Sequence, residues 1–265
     1  MYTIIATRLH TSFLDWTNGM SIRLICSLAL IALCPAVLYS ADDSGKTAEP
    51  SASKHQKMEI EGWTVQINEK LIRDEKEATD KALELLTKHL KEIIRTVPAE
   101  AVTHLRKVTL WVNPPYPGVA PRAEYHPDAG WLKANRRNPV MAKGVEFTNV
   151  QTFEAETLRM PVVVLHELAH AYHDQVLGFD QADIVAAYKK AKESKSYDRV
   201  ERWHGVIGRP NTFERAYAMT NPMEYFAEST EAFFGRNDFF PFTRDELEKH
   251  DPTIFKVLQQ VWKAP

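Results

Sequence analysis

His166, Glu167, His170 and His173 interrupt the apolar stretch VVVLHELAHAYHDQVLG, residues 162–178. Protonatable groups are costly in a segment that otherwise reads as buried unless they are paired or bind a metal. At 3.6 residues per turn His166 and His170 lie one turn apart on one face and can converge on a single ion; HELAH is the H-E-x-x-H pattern. Zn²⁺ takes tetrahedral N, O or S donors about 2 Å away, and a helix holds two of them ready. Glu167 projects about 100° round the helix from His166. It can therefore stand beside a metal as a general base without being a ligand. His173 shares the histidine sector and reads as a helix-surface or capping residue, with lining of the site as the other reading. It does not supply the third histidine of the longer H-E-x-x-H-x-x-G-x-x-H pattern, which needs Gly at 173 and His at 176, where this chain has His173 and Val176.

A catalytic zinc needs a third protein ligand and an open position. Both cysteines, Cys26 and Cys34, lie near the N-terminus, so the third donor must be His, Glu or Asp. The best region is AYAMTNPMEYFAESTEAFFG, residues 216–235, with Asn221 and Pro222 as helix-start signals and Gly235 as a stop. Glu224, Glu228 and Glu231 form one stripe on a helix that is otherwise apolar or small nearly all round, hence buried. No Lys or Arg within the helix can pair them. A metal between the acidic stripe and the histidine stripe satisfies both. Spacing alone does not choose among the three glutamates. Glu224 also stands three residues after Asn221, the spacing of a capping box, in which it would reach back to its own helix start.

HELAH followed by YAMTNPMEYFAE resembles the catalytic domain of the anthrax lethal factor-type zinc metallopeptidases, which are gluzincin-like H-E-x-x-H enzymes. There a Tyr stands seven residues before the first Glu of an E-[FY]-F-A-E helix, and Tyr217, Glu224, Tyr225, Phe226, Ala227 and Glu228 occupy those places. The resemblance covers residues 160–235. It implies one catalytic Zn²⁺ held by His166, His170 and Glu224, with Glu167 as general base. It further implies Tyr217 near the developing oxyanion and Glu228 supporting the ligands. The implied activity is hydrolysis of peptide bonds by metal-activated water, on a peptide or protein substrate. The toxin-delivery parts of that family have no counterpart in a chain of this length.

These residues need elements to position them. GWTVQI alternates, with Trp63, Val65 and Ile67 on one face, and reads as a strand. Residues 74–98 place Ala78, Ala82, Leu86, Leu90, Ile93 and Val97 on one helical stripe. KVTLWV is a second strand, stopped by NPPYPG, and residues 113–144 read as long loops. GVEFTNV is a short strand that either pairs with an extended peptide or is an ordinary interior strand. Pro161 and Gly178 fit the first turn and the end of the H-E-x-x-H helix. His126 and His204 read as loop or rim residues, and Thr243 with Glu246 as a purely structural capping box. The pattern predicts an α+β domain with a small sheet and a mainly helical C-terminal half; with the resemblance, a zincin-like metallopeptidase domain over 61–265.

The N-terminal 41 residues read as a signal peptide, with Arg23 ahead of the apolar run from Leu24 to Tyr39, and with Met20 as a possible true start. The run is short for a membrane span and is interrupted by Pro35. Residues 42–60 are small, polar and charged, and read as a disordered linker. The expectation is a secreted or periplasmic protein without stable membrane association after cleavage; the alternative is an N-terminal membrane anchor. A formal charge of −2 with both signs mixed gives no nucleic-acid footprint. Two other classes stand beside the peptidase: a zinc-binding, catalytically inactive module of the same fold, and a secreted interaction protein with a fortuitous motif. Retention of both Glu167 and Tyr217 argues against the inactive module, because neither is needed to hold zinc.

Overall fold

The computed structural model describes residues 54–205 and 208–264. The expected signal peptide and most of the expected linker lie outside the described residues. Among those described, no helix is long and apolar enough to cross a membrane.

The described part opens with a hairpin, β1 (His55–Ile60) and β2 (Trp63–Asn68), and then enters α1 (Glu69–Asp74). β1 lies within the stretch expected to be linker. It is an outer strand with a mostly exposed surface, so it carries no apolar alternation. The three alternating residues of β2, Trp63, Val65 and Ile67, are buried as expected. Helix α2 (Lys76–Thr96) sets Ala82, Leu86, Leu90 and Ile93 into the core. Val97, which caps its C-terminus, is also buried. At the start of the stripe Thr79 rather than Ala78 is buried, its hydroxyl donating to Glu75 O at 2.8 Å.

After α3 (Ala99–Leu105) come β3 (Leu110–Val112), β4 (Ala123–Tyr125), α4 (Ala129–Ala134) and β5 (Val145–Phe147). The sheet order is β1-β2-β3-β5-β4. β2, β3 and β5 run parallel, whereas β1 and β4 run antiparallel to their neighbours. GVEFTNV is therefore an interior strand. β1 and β4 are the two edge strands, and β4, inside the region expected to be loop, is the one that lines the cleft described below. With only three residues, one of them Glu124, β4 offers no readable period.

The second half is mainly helical: α5 (Phe153–Arg159), α6 (Val163–Tyr172), α7 (Ala182–Ser194), α8 (Pro222–Phe234), α9 (Arg244–His250) and α10 (Pro252–Val261). A separate two-stranded sheet, β6 (Val200–Arg202) with β7 (Thr212–Glu214), stands between α7 and α8 in sequence. The molecule is thus a mixed α+β structure. One hydrophobic core joins the sheet to the helices, from Trp63, Leu90 and Leu110 to Leu168, Phe226 and Trp262. Thr243 and Glu246 form the expected capping box of α9.

Burying β5 on both sides also buries Glu146. Its carboxylate accepts from Asn113 Nδ2 at 2.6 Å, Tyr116 OH at 2.7 Å and Arg137 Nη1 at 3.4 Å, and lies 2.8 Å from His126 Nε2. Burial pushes this carboxyl up, but the hydrogen bonds from His126, Tyr116 and Asn113 leave it below the ordinary carboxylate range. Arg137 also pairs with Glu124 of β4. His126 is consequently a core residue rather than a rim one. His204 is likewise buried, beside Thr212 Oγ1 at 3.0 Å.

Removing one partner from a buried ionic network strands the others, at a cost of about 3–5 kcal/mol. Glu146→Ala should therefore lower unfolding free energy by about that amount in urea titrations of the full chain. A midpoint matching wild type would show that the network does not hold β4 and β5 in place.

Candidate metal centre

Two buried helices, α6 and α8, pack against each other and carry the candidate ligands. α6 starts at Val163, so Pro161 stands just outside the first turn rather than in it. The helix continues as a π turn over His173–Leu177 and ends at Gly178, whose φ of +84° suits a residue without Cβ. α8 starts with Pro222 in its first turn. The Asn221 side chain accepts from the N–H groups of Met223 and Glu224, both at 2.9 Å.

That cap is complete without Glu224. Its carboxylate turns across to α6 instead of reaching back, and Oε2 lies 3.2 Å from His166 Nε2 and 3.4 Å from His170 Nε2. The two imidazole Nε2 atoms are 3.1 Å apart. The donor atoms of His166, His170 and Glu224 all fall within 4.8 Å of one another. Glu224 Oε2 is buried, and no hydrogen bond satisfies it. Two nitrogens and a stranded carboxylate oxygen converging on one point fit a divalent cation with N and O ligands, and leave a tetrahedral position open.

Electrostatics agree with that fit. Burial pulls the His166 imidazole down, yet Glu224 and Glu231 outweigh it and raise this group well above its ordinary value. Such surplus negative charge is what a metal would meet in the proton's place. Burial pushes Glu224 up, but the two histidines bring it far below the ordinary carboxylate range.

Behind the ligands, Glu231 Oε1 lies 2.7 Å from His166 Nδ1. With Nδ1–H donating to Glu231, the Nε2 lone pair faces Glu224 and His170. The carboxylate touching a candidate ligand from behind is thus Glu231. Glu228, expected in that role, is hydrogen-bonded with Asn237 and makes no hydrogen bond to either histidine. It remains adjacent, buried beside Glu231, and burial pushes its carboxyl well up. The stripe in the sequence contained Glu231, but its spacing could not say which member meets the imidazole.

Glu167 follows His166 on α6 and is also buried; its Oε2 accepts the backbone N–H of Tyr125 at 2.8 Å. Tyr217 opens a 3₁₀ turn ahead of α8 and is half-exposed. Burial and the nearby Glu224 charge raise its hydroxyl pKa, so the group stays a donor. Glu167, Tyr217 and the three candidate ligands line one cleft of about 550 Å³, together with β4, Glu228 and residues of the β6–β7 sheet. His173 does not line it. This residue is wholly buried between the rings of Phe179 and Phe226, and burial pushes its imidazole down to about 4.

The hydrogen bond from behind sets the orientation of His166, and such partners typically contribute 10–100-fold to metal affinity. Zinc titrated against a competing chromogenic chelator should bind Glu231→Ala about 10–100-fold more weakly than wild type, and Glu224→Ala more weakly still. Equal affinity of wild type and Glu231→Ala would remove Glu231 from the centre.

Residues 146–263 match the family model of the glucose-regulated metallo-peptidases M90. The matched span runs from within β5 through α10 and contains His166, Glu167, His170, Tyr217 and all three glutamates of α8. No curated protein and no solved structure matches the chain. The family match supports a metallopeptidase domain, and with it a hydrolase that uses a divalent metal on peptide bonds. It does not extend to the narrower lethal factor-type likeness.

Proposed function

We propose that the chain is an exported, zinc-dependent endopeptidase of zincin-like fold, acting on peptides or proteins. The observation that carries this reading is the convergence of His166, His170 and Glu224 in a cleft bordered by an open sheet edge. Export rests on the sequence of residues 1–41 alone.

β4 supplies a place for the substrate backbone. Arg122 and His126 make their backbone hydrogen bonds toward β5 and its flanks, with Thr148 and Gly144, and Glu124 pairs with Glu146. By the alternation of an antiparallel ladder, the N–H and C=O of Ala123 and the C=O of Tyr125 face away, along the cleft. An extended peptide can add there as a further strand. The Tyr125 N–H on that same edge is already taken by Glu167, which sets the reacting end of the edge.

When bound, the ion supplies Lewis acidity toward the scissile carbonyl and the attacking water. Glu167 accepts a proton from that water and passes it to the leaving amine. The bond from Tyr125 N–H holds the Glu167 carboxylate by one oxygen and leaves the other to work. Tyr217 donates to the carbonyl oxygen as negative charge grows on it.

The basic test is cleavage of a peptide library that stops on chelation and returns with zinc. Zinc bound without turnover would leave a binding module in place of an enzyme. Glu167→Gln should keep zinc and lose turnover, because the amide cannot accept a proton; turnover surviving with zinc intact would sink the general-base role. Tyr217→Phe keeps the ring and removes only the hydroxyl. Zinc content and thermal stability should hold, while kcat falls roughly 10²-fold and KM changes little. A wild-type rate in that variant would make Tyr217 a packing residue.

A further inference from the structure

Four arginines line the cleft, and three of them are answered by carboxylates. Arg159 and Arg202 flank Asp238 at 3.2 and 3.5 Å, and Arg215 lies 3.4 Å from Asp198. Arg122 differs. Its side chain is exposed, and its one hydrogen bond runs from Nε to Ala120 O at 3.2 Å. Among the described residues no carboxylate meets it, so the outer nitrogens of its guanidinium are left for a ligand in the cleft. A guanidinium is a planar fork of donors that matches a carboxylate two bonds at a time.

Its place on the edge gives the position of that ligand. β4 runs from Ala123, just after Arg122, to Tyr125, and Tyr125 marks the reacting end by its bond to Glu167. A peptide added antiparallel to β4 runs the other way, so its residues after the scissile bond pass Ala123 and then Arg122. At about 3.3 Å per residue, Arg122 lies about 10 Å from Tyr125. That distance corresponds to the second or third residue of the leaving segment.

We infer that Arg122 selects substrates with a carboxylate two or three residues beyond the cleaved bond on the leaving-group side. The carboxylate is either an Asp or Glu side chain, which keeps the enzyme an endopeptidase, or the free C-terminus of the substrate, in which case it releases C-terminal di- or tripeptides. This inference rests on the peptidase reading above and deepens it.

The test uses zinc-loaded protein and internally quenched peptides that differ only by Glu or Gln at those two positions. A second series ends at those positions, as free acid or as amide. Wild type should cleave a carboxylate member about tenfold faster in kcat/KM than its neutral match. Preference for Glu identifies a side chain, and preference for acid over amide identifies a terminus. In Arg122→Gln the matched peptides should be cleaved at similar rates, and in Arg122→Glu a Lys peptide should overtake the Glu peptide. Binding gives an independent readout. Glu167→Gln should hold the labelled carboxylate peptide more tightly than its neutral match, by a margin that shrinks with salt and vanishes when Arg122→Gln is added. Equal cleavage of all matched pairs by an enzyme that does turn over peptides would overturn the inference and leave the peptidase reading standing. A preference that survives Arg122→Gln would overturn it too. Failure to cleave any peptide in a zinc-dependent way would remove the peptidase reading and this inference with it.

Discussion

The structure depends on how the α6–α8 interface neutralises its own charge. α8 carries Glu224, Glu228 and Glu231 inward, and nothing on that helix can pair them. Unpaired carboxylates in a core are too costly to keep ionised. Two different solutions appear on one helix. Glu224 and Glu231 both face His166 of α6, across its Nε2 at 3.2 Å and its Nδ1 at 2.7 Å, and Glu224 also lies 3.4 Å from His170. Among the described residues no Lys or Arg meets Glu228, and burial with like charges nearby outweighs the pull of His166 and drives it toward the neutral form. The interface that holds the two helices together is therefore also the one that concentrates donors around a point, and a bound cation would stabilise the fold as well as serve the chemistry.

A second buried polar group, Glu146, performs the analogous task for the sheet. Its four neighbours come from the β3–β4 connection, from just past β4 and from beyond α4. Arg137, shared between Glu146 and Glu124, ties the edge strand to the interior one. A three-residue strand has too few ladder hydrogen bonds to fix its own position. The network and the bond from Tyr125 to Glu167 supply what the ladder lacks.

Legibility in the sequence followed period and length. The α2 stripe, the β2 alternation and the residues of the two site helices were readable because each repeats over many positions or combines rare residue types at fixed spacing. β4 was not, since AEY has no period and its role comes from what lies around it. β1 was missed because an outer strand facing solvent needs no apolar residues. The histidines mislead for a related reason. His126 and His204 stand among loop residues, and their burial is created by tertiary partners, Glu146 twenty residues on for His126 and Thr212 of the neighbouring β7 for His204. Between the capping and ligand readings of Glu224, the fold decides through Asn221, which caps the helix alone. Which glutamate would meet His166 Nδ1 depends on the crossing of α6 and α8, a tertiary quantity that wheel positions do not contain.

The end of α6 explains how the edge strand and the donors keep a fixed relation. Past Tyr172 the helix widens into the π turn, and the turn presents Asp174 and Gln175 to β4. Asp174 accepts from Tyr125 OH at 2.6 Å and from Lys143 Nζ at 2.6 Å, while Gln175 Nε2 donates to Tyr125 OH at 3.1 Å. Tyr125 is thus gripped twice by one helix, its backbone N–H by Glu167 and its hydroxyl by the turn. Because α6 also carries His166 and His170, a peptide adding to β4 as proposed would be positioned against the same helix that holds two of the three candidate donors. A shift of α6 would move the candidate donors, Glu167 and β4 together. That coupling preserves alignment of a kind that catalysis by positioning demands to within a fraction of an ångström. A helix of ordinary pitch would turn Asp174 and Gln175 differently and release the strand from one of its two holds.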